Sequence, residues 1–180
     1  MKELTNLRAL FEAFGDEVVQ LAKENLERPR TIRGKKAQRV ASGNLKNDLT
    51  YTFWKRGKKD VLIFTTRKKE TREYADVIEQ GRKPYPNNPA KTPPLKPIMN
   101  WLRIKGIALR GSNGRFIERN EDNYRVVARL VARSIRIRGI QGIYYFKEAF
   151  EKTFDEFDPQ ILNAAIADFE FRLKSNKYIK

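Results

Sequence analysis

The sequence predicts an α+β fold, in which a small antiparallel sheet packs against a long N-terminal helix and further helices fill the C-terminal half. Three observations carry this expectation. Apolar residues recur at helical spacing at both ends of the chain. A period-two segment and a continuous apolar or Thr segment flank a glycine-containing turn. No apolar run approaches the roughly 18 residues of a membrane span, so a helical membrane protein is not expected. The 180 residues suit one domain, 1–180.

The elements follow in chain order. Over residues 4–26, Leu4, Leu7, Phe11, Phe14, Val18, Leu21 and Ala22 form one stripe, which predicts an amphipathic helix. Gly15 weakens that helix and Pro29 ends it. Residues 28–41 hold six basic residues and no acid, and read as a solvated basic arm. Leu49, Tyr51 and Phe53 then alternate with Thr50, Thr52 and Trp54, and residues 61–66 are apolar or Thr throughout. These are two strands joined by a turn over Arg56–Lys59. A short helix is expected over 71–80, stopped at Gly81. Six prolines between 82 and 97 argue against helix or central strand, leaving a stiff extended loop. A helix over 98–105 and a hairpin or loop over 107–122 come next.

From Asn123 to Ile137 the pattern is strongly helical. It puts Val126, Val127, Leu130, Val131, Ile135 and Ile137 on one side and Arg125, Arg129, Arg133 and Arg136 on the other. Phe146, Phe150, Phe154 and Phe157 form a further stripe. Asp158-Pro159 reads as N-cap and first helical position of a separate C-terminal helix over 158–180, with Ile161, Ala165, Phe169 and Leu173 inward.

Composition narrows the function. The chain has no Cys and no His, which removes thiolate nucleophiles, imidazole bases, and Cys or His metal sites. No cofactor or resident metal is expected. Carboxylate chemistry remains, through Glu70 and Glu73, Asp76 and Glu79, or Glu118, Glu121 and Asp122. Such spacings usually mean solvated or ion-paired acids, and Arg67, Lys68, Lys69 and Arg72 lie beside the first pair. An enzyme is therefore not expected, and a Mg²⁺-dependent nuclease is a remote alternative. The N-terminus lacks the continuous apolar core of a secretory signal.

The net charge of +16 is unevenly spread: residues 31–150 carry 28 basic and 10 acidic residues, while 1–30 and 151–180 hold five basic and six acidic each. This asymmetry suits a central surface facing a polyanion or acidic protein. The arginine stripe Arg125, Arg129, Arg133 and Arg136 and the hairpin tip Lys55, Arg56, Lys58 and Lys59 are the candidates. The stripe reads three ways: along a DNA backbone, against acids of a neighbouring subunit, or simply solvated. The three apolar helical stripes also leave open that some apolar surface is buried between subunits.

Four short motifs occur in order. They are Ser42-Gly43-Asn44-Leu45-Lys46; Tyr74-Ala75-Asp76-Val77-Ile78-Glu79-Gln80-Gly81; Pro93-Pro94 with Trp101 and Lys105-Gly106-Ile107; and Arg129–Ile135 with Gly139-Ile140-Gln141-Gly142 and Phe146. Together they resemble the tail-completion or head–tail joining (neck) proteins of tailed bacteriophages, over roughly residues 40–155. The stretches 82–97 and 107–122 look longer than usual in that family. The resemblance implies a non-enzymatic virion protein, made in the bacterial cytoplasm. It implies a homo-oligomeric ring around the DNA channel, in contact with portal, adaptor or tail proteins and close to double-stranded DNA. The basic arm, with Arg33, Lys35, Lys36 and Arg39, and the loop at Pro84, Tyr85 and Pro86 are then expected to be docking elements. The competing reading is a sequence-independent DNA-binding protein that acts alone.

Overall fold

The structure is a computed structural model that describes residues 5–32, 35–37, 43–56, 59–111 and 113–175. Helix α1 (Thr5–Glu27) is followed by the short antiparallel pair β1 (Arg30–Ile32) and β2 (Lys35–Ala37), then helix α2 (Asn44–Asp48). Strands β3 (Leu49–Arg56) and β4 (Lys59–Thr66) form the main hairpin, in the register Leu49–Thr66 to Arg56–Lys59. Helix α3 (Lys69–Gln80) leads into β5 (Gly81–Arg82), a short 3-10 helix (Pro89–Lys91) and α4 (Leu95–Ile104). Helix α5 (Glu121–Arg138), β6 (Ile140–Gln141) and α6 (Tyr145–Ser175) complete the chain, with β6 antiparallel to β5. The fold is α+β, as the sequence predicts, with the β3–β4 hairpin against α1.

The larger core lies between α1, the β3–β4 hairpin, α3 and α6. On α1 the helical period buries Phe14, Val18, Ala22 and Leu26. The hairpin's alternation sends Tyr51 and Phe64 inward. Phe14 meets Phe64, Phe150 and Phe157 edge to face, with centroids 5.6–6.3 Å apart. Gly15 has a packing reason that its helix propensity hides. A Cβ there would lie 2.9 Å from the Tyr51 ring, whose hydroxyl donates to the Glu12 carbonyl at 3.0 Å.

Two buried acids, Asp168 and Asp48, and the half-buried Glu79 tie the helices of this core together. The Asp168 side chain, on α6, accepts from the Asn6 and Leu7 amides at 3.2 and 2.8 Å, satisfying two orphan donors at the start of α1. Glu79 does the same for α6, accepting from the Phe146 and Lys147 amides at 2.9 and 3.0 Å. Asp48 accepts from the Thr71 hydroxyl at 2.5 Å and joins α2 to α3. Burial raises the Tyr145 phenol well above its ordinary pKa, and the nearby Glu79 and Asp76 add to the effect.

The β5–β6 crossing explains the glycine motif. A Cβ on Gly139 would approach the Arg82 carbonyl oxygen to 2.3 Å, and one on Gly142 would approach the Glu79 carbonyl oxygen to 2.4 Å. Gly139 also has φ of 69°, a left-handed conformation that favours glycine. The second core lies between α4 and α5. It contains Ile98, Met99 and Leu102 from α4, Tyr124, Ala128 and Ala132 from α5, and Leu109 from the following loop.

Several local expectations change. The 28–41 segment is not only a solvated arm, because β1 and β2 pair and Arg30 donates to both oxygens of Glu148, at 2.8 and 2.5 Å. This bidentate contact holds the Glu148 carboxyl below its usual range and raises the Arg30 guanidinium. The Pro-rich stretch contains the 3-10 helix and the first turn of α4. Pro97 is tolerated there because its missing N–H is in the first turn, where such donors lack helical partners. The 107–122 segment closes on itself through a single bridge, Arg110 to Phe116. No helix starts at Asp158-Pro159: α6 runs unbroken from Tyr145 to Ser175 with Pro159 inside it. Proline removes one helical hydrogen bond, and packing of α6 along α1 on either side of Pro159 outweighs that loss.

Candidate interaction surface

Helix α5 begins at Asn120, whose side chain accepts from the Asn123 amide at 2.9 Å, and Glu121 and Asp122 favour its positive end. Which way it faces is decided by its alanines. Tyr124, Ala128 and Ala132 are buried at i, i+4 and i+8, and small side chains let α5 lie close against α4. Val127, Val131 and Ile135 are half-buried beside them. Val126, Leu130 and Ile137, which the large-apolar pattern assigns inward, instead face outward, with Leu130 60% exposed. This is a correction to the sequence reading: the stripe rotates toward the smaller residues.

Arg125, Arg129 and Arg133 line one flank of this apolar ridge. All three are exposed, and none makes an ion pair with another described residue. At about 100° per residue, the ridge and the three arginines share an arc of roughly 140°. Arg136 behaves differently. It is half-buried, its guanidinium donates to the Pro86 carbonyl, and its own carbonyl accepts from the Tyr85 amide at 2.6 Å. These bonds fix the Pro84–Tyr85–Pro86 segment to the end of α5, while the three side chains themselves are exposed.

The other candidates are only partly described. Lys55, Arg56 and Lys59 lie at the ends of β3 and β4, whereas Lys58 lies outside the described residues. Lys35 and Lys36 lie in β2, whereas Arg33 and Arg39 are also outside the described residues. Of the acidic residues weighed for catalysis, Glu79 caps α6 and Glu121 accepts from Arg103. Among the described residues no group of three or more carboxylates is placed to hold a metal ion. No described helix is long and apolar enough to cross a membrane.

Helix α6 carries a second surface that the sequence reading missed. Its inner face buries Tyr145, Ala149, Thr153 and Asp168. Beyond Pro159 the opposite face exposes Leu162, Ile166 and Phe169, at 65, 48 and 62%. The expected inward stripe included Phe169, but Asp168 takes the inward position by capping α1. A hydrogen bond across 162 residues leaves no local pattern to find it by. For α5 a signal does exist: alanines spaced i, i+4 within a run of larger apolar residues mark a close helix contact.

Compared with protein families, curated proteins and solved structures, the chain matches none of them.

Proposed function

We propose that this chain is a non-enzymatic structural subunit of a ring in the neck of a tailed-phage virion, joining the portal or adaptor to the tail around the DNA channel. The observation that carries the reading is the mixed face of α5. A surface made only to follow a phosphate backbone needs cations and hydrogen-bond donors. An exposed Val126–Leu130–Ile137 ridge gains only when protein covers it, so the same face argues for a protein partner beside the charge.

The position of the resemblance motifs supports the reading. The segment ending in Glu79 and Gly81 crosses the Gly139–Gly142 turn, with the Ile143 and Tyr144 amides donating to the Ile78 and Glu79 carbonyls at 3.0 Å. Two motifs some 60 residues apart are therefore one structural unit, which gives their co-occurrence a physical cause. The net charge of +16 per subunit fits a ring near packaged DNA or an acidic neighbouring ring.

The test is electron microscopy and protein composition of virions encoding this chain. The reading expects the chain in the neck, and filled heads without attached tails when it is deleted. Virions that lack the chain would overturn it. Unpaired Arg125, Arg129 and Arg133 favour one second reading, a DNA-binding protein that works alone. Tight duplex binding by the isolated monomer, falling steeply with salt, would establish that alternative.

A further inference from the structure

The two outward apolar faces carry opposite charge. On α5, the Val126–Leu130–Ile137 ridge is flanked by Arg125, Arg129 and Arg133. On α6, Leu162, Ile166 and Phe169 share an arc of roughly 120° with Asp155, Asp158 and Glu170. All three acids are exposed, and none pairs with another described residue. Over residues 151–170 there are six acids and one base, and the only buried acid is Asp168. The two mixed faces are of comparable length: Arg125 to Ile137 spans about 18 Å on α5, and Asp155 to Glu170 about 22 Å on α6.

We infer that the α5 face of one copy of this chain docks on the C-terminal half of α6 of the next copy. Each face has an apolar ridge whose burial favours association, and each has three unpaired charges that the other can neutralise. The pairing also selects its own symmetry. A two-fold dimer through α5 would oppose six arginines, and one through α6 would oppose six carboxylates. Like-with-like contact is disfavoured on both faces, so the favoured contact is heterologous, head to tail. A head-to-tail contact repeats, and it closes into a ring when its rotation permits. This inference rests on the ring reading above and names the surfaces that would build the ring.

The experiment uses the full chain, with its mass followed by sedimentation and native mass spectrometry over a range of concentrations. Three proteins are compared with wild type: R125E/R129E/R133E, D155K/D158K/E170K, and the chain carrying both sets. All six positions are exposed, so far-UV circular dichroism should match wild type and exclude misfolding as a cause, while the melting temperature follows the degree of association. Wild type should form oligomers, and either single set should weaken self-association by at least tenfold. The combined protein, whose charges are complementary again with the signs exchanged, should recover most of that loss. Oligomers indifferent to both sets would overturn the inference and leave the neck reading standing. A wild-type chain that stays monomeric to about 100 µM would also overturn it, and the neck reading would then be judged on virion composition alone. Recovery in the combined protein together with virions lacking the chain would do the reverse, keeping the interface and removing the neck.

Discussion

The two cores of this molecule are built on different principles. The larger one, between α1, the β3–β4 hairpin, α3 and α6, joins a phenylalanine cluster around Phe14 to buried aliphatic side chains, and carboxylates cap the starts of α1 and α6. The smaller one, between α4 and α5, is aliphatic apart from Tyr124, and two alanines let the helices approach closely. The larger core holds α1 against α6 from the Asn6–Asp168 contact at one end to the Asn25–Tyr145 contact at the other. The alanine contact fixes only which face of α5 is hidden, and it thereby exposes three large apolar side chains beside three arginines. Both regions leave an apolar face outward, on α5 and on the C-terminal half of α6, but only the larger core anchors its helices through capping carboxylates.

The comparison predicts a hierarchy of mutational effects. The largest falls where the regions join: Gly139→Ala should cost more than about 3 kcal/mol in chemical denaturation, since it adds a backbone clash to an unfavourable positive φ. Wild-type stability for that variant would mean the β5–β6 crossing is not a constraint. Next, Asp168→Ala in the larger core should cost roughly 2–3 kcal/mol by orphaning the Asn6 and Leu7 amides. Its effect should exceed that of any single change on the outer face of α5. In the smaller core, Ala128→Leu should cost about 1–3 kcal/mol by forcing α4 and α5 apart. Arg129→Ala, at the neighbouring but exposed position, should stay within about 0.5 kcal/mol.

The smallest effect is electrostatic. The Arg30–Glu148 contact lowers the folded-state pKa of Glu148, so its contribution is present above the ordinary glutamate pKa. It is lost as pH falls through the lowered value, when Glu148 becomes protonated. The pair is partly exposed, so the loss should be below about 1 kcal/mol. Denaturation of wild type and Glu148→Gln at neutral and acidic pH should give curves that differ at neutral pH and converge in acid.

How much of this was legible depends on the range of the interactions. The β3–β4 hairpin was readable because alternation at Leu49, Tyr51 and Phe53 is local. Helix α5 was readable in extent, since its local periodicity from Asn123 to Ile137 comes within two residues of each end of Glu121–Arg138. Its facing was not, because counting large apolar residues overlooks Ala128 and Ala132, whose small size is what buries them. The unbroken α6 was hidden because Asp158-Pro159 is a strong local start signal that tertiary packing overrides. The arginines of the candidate surface were visible as a stripe. That Arg136 leaves the stripe to hold the 84–86 segment depends on a loop folding back by 50 residues.

The cap that Asp168 places on α1 has a practical consequence for handling the protein. It brings the first turn of α1 to within two helical turns of the end of α6, so both ends of the described chain leave the molecule at one pole. That pole also carries Leu162, Ile166 and Phe169. A label attached at either end of the described residues, Thr5 or Ser175, would therefore lie near the same patch, and moving it from one to the other would not relieve the obstruction. An insertion in the exposed turn at Asn113–Gly114 is the better site for a label.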